Sequence, residues 1–223
     1  MSHPLVIAYH LIWTVYGWWL PNDPRGSGSR AVRNDVISHL GDLHYGRKRV
    51  QPAGWEVKSF YDAAKDLLKH DLIAFNDAMR QVVADAFAHG MEVNKYTCYA
   101  CAIMPDHVHI LIRKHKYLAE DMIDHLRDES RLRLSASGLL PPNHPIWTGG
   151  GGWKVFLDHP DEVWRTIRYI DRNPQEIGIP AQSWPFVTAY DNWPLFEGHS
   201  PNSPYAKALK AAGRYPRDKQ DRR

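Results

Sequence analysis

The spacing of apolar positions changes several times along the chain, and each change predicts an element. Leu5 to Trp19 (LVIAYHLIWTVYGWW) is dense in apolar, β-branched and aromatic residues and reads as a first strand. Pro21 to Gly28 (PNDPRGSG) breaks that pattern as a loop. Ser29 to Tyr61 has mixed charge, scattered Gly and Pro and no clean period, so 21–61 reads as an insertion with some short helix. Phe75, Met79, Val82, Val83 and Ala86 fall at helical spacing, which predicts one long helix or two joined ones over about Asp62 to Gly90. Lys95 to Met104 and His107 to Arg113 are strands separated by Pro105-Asp106, forming a tight antiparallel hairpin or a bent edge.

Leu118, Met122, Leu126 and Ser130 mark the inner face of a further helix ending before Gly138. The loop that follows includes the unbroken run Gly149 to Gly152, and Trp153 to Leu157 is a short strand. Asp158, Pro160 and the acidic pair Asp161-Glu162 start a last helix, expected to reach Asn173 and stop at Pro174. Beyond Pro180 the chain is Pro-, Trp- and Asn-rich and irregular, and from Pro201 it becomes a basic tail. The order strand, helix, strand, strand, helix, strand, helix predicts an α+β fold. The expected form is a ferredoxin-like or RRM-like palm: an antiparallel sheet with helices on one face and an irregular C-terminal extension.

Composition narrows the class. The 223 residues are 43% hydrophobic and 24% charged, which fits a globular protein. No apolar run is long enough for a bilayer and the first ten residues do not form a signal peptide, so a cytoplasmic protein with no membrane partner is expected. The net charge of +3 is too small to imply nucleic acid, but the cations cluster: Arg113, Lys114 and Lys116 after one strand, and Arg165, Arg168 and Arg172 on the last helix. Nine Trp and eleven Tyr accompany them, a combination suited to stacking on unpaired bases.

Two motifs carry chemistry. In MPDHVHILI, alternation puts His107 and His109 on one face of a strand, about 6–7 Å apart at their Cα atoms, with Val108, Ile110 and Ile112 on the core face. Two imidazoles so placed can converge on one ion. Cys98 and Cys101 precede them in the order of a Cys₂His₂ zinc site, but in a regular strand residues three apart face opposite sides, which argues against it. On the last helix Val163, Trp164, Ile167 and Ile170 form the apolar stripe. Tyr169 lies about 200° around from Ile167, off that stripe, with Asn173 one turn further on. Two imidazoles and an amide oxygen could hold a divalent cation, and a tyrosine beside them could attack phosphorus.

Together, YACAIMPDHVHILI and YIDRNPQEIGI resemble the two motifs of the HUH single-tyrosine transposases, in particular the REP-associated tyrosine transposase branch. The order and the spacing of about sixty residues between motifs match, as do Ile146-Trp147 and the strand before the last helix. The resemblance covers roughly Leu5–Tyr16 and Phe75–Ile179, implying a catalytic domain over 1–180. It implies cleavage and rejoining of single-stranded DNA, often beside an imperfect hairpin, through a 5′-phosphotyrosine. His107 and His109 would be metal ligands, Asn173 the third ligand or its neighbour, and Tyr169 the nucleophile. The ion would be Mg²⁺ or Mn²⁺, with Mn²⁺ better suited to imidazole. Asp106 stands where the family has Asn, adding negative charge beside a phosphate site. The oligomer would be a monomer or homodimer. Two alternatives stay open: a non-catalytic nucleic-acid-binding module on the same fold, or a protein stabilised by zinc at Cys98 and Cys101.

Overall fold

A computed structural model describes residues 6–32, 35–194, 207, 210, 211 and 213. Of the basic tail expected from Pro201, only Lys207, Lys210, Ala211 and Gly213 fall among them. The elements run β1 (Ala8–Thr14), α1 (Asp35–Ser38), α2 (Gly54–Ala64), α3 (Asp77–Asn94), β2 (Cys98–Ile103), β3 (His107–Arg113), α4 (Ala119–Ala136), β4 (Trp153–Leu157) and α5 (Pro160–Glu176). The four strands form one sheet in the order β2-β3-β1-β4. Every neighbouring pair is antiparallel. This is the α+β, antiparallel palm expected from the pattern.

Alternation along the strands separates two layers. Tyr9, Leu11 and Trp13 of β1 and Val108, Ile110 and Ile112 of β3 join one core with Met79, Val83 and Phe87 of α3 and Met122, Ile123 and Leu126 of α4. Gly90 lets α3 and α4 approach, because a Cβ there would sit 3.0 Å from Leu126 Cδ2. The expectation of helices on one face holds for this pair only. The opposite residues, Ala8, Ala100, Ala102 and Leu111, pack with Val163 and Ile170 of α5. The last helix therefore lies on the other face, because its narrow stripe meets the small side chains that β2 presents there.

Several boundaries shift. The first strand is shorter than Leu5–Trp19, since the chain after Thr14 turns through Gly17 (φ 83°) and Trp19 (φ 54°). Of the one helix or two joined ones expected over about 62–90, the structure has α3 from Asp77, while α2 begins earlier, at Gly54, and ends at Ala64. Asn76 caps α3 by accepting from the Met79 N–H at 2.9 Å. Phe75 precedes that cap, buried, with its N–H bonded to Pro105 O. The α3 helix continues past Gly90 to Asn94, where Lys95 closes it in the left-handed conformation. Pro174 does not stop α5 at Asn173, because a proline in the last turn removes one bond that the terminus can do without. Leu118 is exposed at the α4 N-cap and not on its inner face, whereas Met122, Leu126 and Ser130 are buried as expected.

The insertion has its own small core, with Leu20, Ile37, Phe60, Tyr61 and Ala64 buried together. The described part of the C-terminal extension covers the outer edge of β2. The Gln182 side chain donates to Ile103 O and accepts from Ile103 N, both at 2.8 Å, and Thr188 N bonds to Cys98 O.

Candidate active site

The start of β3, the end of β1 and the start of β4 meet at one end of the sheet. His107 and His109 project to the α5 face, as Leu111 does. Their Nε2 atoms lie 3.0 Å apart. Two nitrogen ligands each ~2.1 Å from one ion, at a right angle, are separated by about 3.0 Å, so the pair fits a single octahedral cation. The far side of each ring is engaged. His107 Nδ1 lies 2.6 Å from Asp106 Oδ1, and His109 Nδ1 lies 2.9 Å from His10 Nε2. With protons on both Nδ1 atoms, both Nε2 lone pairs face the gap, the usual outer-shell arrangement around a metal-binding histidine. Burial, followed by the neighbouring His107 and His10, holds the His109 pKa well below the ordinary histidine value and favours the neutral ring.

His10 was missed by the sequence reading. It is buried and its pKa is pushed down by burial to about 4. The signal was a polar residue inside an apolar strand. Only the register, which pairs His10 with Leu111 and Ile12 with His109, shows that its ring meets His109.

Tyr169 stands over this cluster. Its ring centroid is 5.4 Å from His109 and 6.1 Å from His10, edge-on to both, and its side remains 43% exposed. Asn173 is buried one turn on, and its Nδ2 donates to Tyr169 O at 3.0 Å. Its amide is bonded to neither imidazole. Among the described residues, no group of three or more His, Cys, Asp or Glu side chains is arranged to hold a metal ion.

The insertion contributes a second line of support that the sequence reading did not find. Asp23, fully buried, takes Arg25 through two bonds of 2.9 and 2.8 Å and also accepts from the Tyr61 hydroxyl. The Arg25 guanidinium carbon lies over Trp19, 3.9 Å from its ring centre, and its Nη1 is 3.9 Å from Asp106 Oδ2. Burial tends to raise the Asp106 pKa. The His107 hydrogen bond and charge, with Arg25, outweigh burial and hold it below the ordinary carboxylate value. The negative charge added by Asp106 is thus balanced from both sides.

The predicted cations fall into two groups. Arg165, Arg168 and Arg172 are exposed on the helix that carries Tyr169, and none pairs with a carboxylate among the described residues. Arg113, Lys114 and Lys116 are at the opposite end of β3, roughly 20 Å from His107 at ~3.3 Å per residue. There Arg113 stacks on Trp193 at 4.3 Å and Lys116 on Tyr117 at 5.0 Å.

The chain is similar in structure to a REP-associated tyrosine transposase bound to a REP hairpin, at 12% identity and a TM-score of 0.42, covering 97% of this chain and 87% of that one. A second similar structure is a "putative transposase" of Deinococcus radiodurans R1, at 15% identity and a TM-score of 0.35, covering 77% of this chain and 94% of that one. No family model and no curated protein matches. Both likenesses are distant.

The zinc alternative is corrected by the sheet, though not for the reason parity gave. A bulge between Cys98 and Ala100 inserts Tyr99, so Cys98 pairs with Ile112 and Cys101 with Ile110. Both cysteines therefore face the same side, inside the α3/α4 core, while the histidines project to the other side. Burial pushes both thiols up, well away from the thiolate a zinc ligand needs.

Proposed function

We propose that this protein cleaves and rejoins single-stranded DNA as a metal-assisted tyrosine transposase. The observation that carries the reading is the pair of Nε2 atoms 3.0 Å apart with the Tyr169 ring beside them. His107 and His109 would hold a Mg²⁺ or Mn²⁺ ion, and Asn173, whose amide nitrogen already serves the Tyr169 carbonyl, would offer its oxygen as the third ligand. Bound there, the ion supplies Lewis-acid polarisation of a phosphate oxygen.

The chain's own groups do the rest. Tyr169 Oη forms a bond to phosphorus as the bond to the 3′ oxygen breaks. The phenolic proton ends on the released 3′-hydroxyl, leaving a 5′-phosphotyrosine. One phosphodiester replaces another, so rejoining needs no ATP. His10 and Asp106 orient the two imidazoles, and Arg25 holds Asp106. Arg165, Arg168 and Arg172 stand ready for backbone phosphates, on single-stranded DNA with an adjacent hairpin as the motif resemblance implies.

The test is an SDS-resistant adduct formed with single-stranded DNA and Mn²⁺. Tyr169→Phe should abolish it and slow cleavage by on the order of 10³ or more, with DNA affinity retained. An adduct from Tyr169→Phe rejects the nucleophile. DNA binding without cleavage by the unaltered protein leaves a non-catalytic module.

A further inference from the structure

The face of the sheet that carries the histidines is only partly covered. The α5 helix covers the β2 and β3 side, where Ala100, Ala102 and Leu111 meet Val163 and Ile170. On the other side, register places His109, Ile12 and Trp153 in one row across three strands, and directly paired residues project to the same face. Trp153 is 44% exposed, roughly 10 Å from His109 at ~4.8 Å per strand. It is not isolated. Tyr45 of the insertion, 53% exposed, stands 6.4 Å from it, and the Arg30 guanidinium lies 5.1 Å over the Tyr45 ring. Arg30 makes no ion pair among the described residues.

We infer that Trp153, Tyr45 and Arg30 form a stacking platform for unpaired bases flanking the phosphate at Tyr169. Two exposed rings with a free cation match what a single strand offers: π-faces to stack on and a phosphate backbone to attract. A duplex cannot present its bases this way. The platform gives the insertion a second role beside its support of Asp106, since Tyr45 and Arg30 belong to it while Trp153 belongs to the sheet. It also favours nucleic acid over a protein partner, because a protein docking on this face would bury the unpaired Arg30 charge. The inference rests on the proposed activity only for the identity of the strand.

The test is the Kd for a mixed-sequence single-stranded oligonucleotide, with a duplex of the same sequence as control. Trp153→Ala should weaken single-strand binding by roughly 5- to 150-fold and leave duplex binding unchanged, and Trp153→Phe should retain most of it. Tyr45→Ala, at an exposed position, should also weaken it. An oligonucleotide scanned with single abasic sites should show one or two positions that matter to the native protein and not to Trp153→Ala. If the native protein cleaves and binds single strands while both alanine variants bind equally well, the platform is overturned and the activity stands. If the native protein binds single strands without cleaving and the variants lose affinity, the platform stands and the activity falls. No single-strand binding at all overturns both. A concentration-dependent dimer lost in Trp153→Ala, with DNA binding intact, assigns the face to a second copy of the chain and also overturns the platform.

Discussion

Cys98-x-x-Cys101 and His107-x-His109 lie in adjacent strands of one hairpin, and each spacing suits a metal. They have opposite fates. The cysteines face the α3/α4 core, among Val83, Phe87 and Leu126, and are free and buried. The histidines face the other way, and their outer nitrogens are engaged by Asp106 and His10. What separates a pair able to offer lone pairs to an ion from a core pair is therefore what stands behind each side chain. An imidazole backed by a carboxylate or a second imidazole is held in a binding tautomer, whereas a thiol surrounded by methyl groups stays protonated.

Replacing His109 with alanine would break the contrast most sharply. Loss of a ligand should lower Mn²⁺-dependent cleavage by at least about 100-fold, given the several kcal/mol a Lewis acid contributes. His107→Ala should behave alike. Cleavage that persists in either variant ends the metal assignment. Next, Asp106→Ala should lower metal affinity or activity by about 10- to 100-fold, the usual range for an outer-shell partner, while the Mn²⁺ titration still saturates. An unchanged titration midpoint would show that His107 does not depend on Asp106. The smallest effect belongs to the cysteines. Cys98→Ala should cost about 1 kcal/mol in denaturant unfolding and leave the Mn²⁺ dependence unaltered. Native thiols should resist a soluble disulfide reagent until the protein unfolds, and fast labelling would contradict the burial described.

The palm, the order of its elements and the pairing of His107 with His109 on one face were legible because alternation in HVHILIR is local to one strand. Tyr169 was legible because helical period is local to one helix. Features that need two strands at once were not. The bulge at Tyr99, which reverses the expected facing of Cys98 and Cys101, exists only in the pairing with β3. His10 required the register of β1 against β3, although the two residues are 99 apart in sequence. Arg25 and Asp23 looked like any polar loop, because the ring that supports them, Trp19, and the hydroxyl that binds them, Tyr61, arrive from different segments. The placement of α5 on the opposite face from α3 and α4 depended on which side of the sheet offers small residues, and no single element carries that information.

The Gln182 side chain is bonded to both backbone groups of Ile103, a residue 79 positions earlier. During synthesis at about 5–20 residues per second, that separation is a wait of roughly 4 to 16 s. For that interval β2 has a partner on its inner side alone, and its outer edge is open to whatever strand is nearby. The stretch around Gln182 therefore acts as a timed closure. Until it arrives, a nascent chain on a crowded ribosome is most vulnerable to pairing with its neighbour, and truncations before Gln182 make that vulnerability permanent.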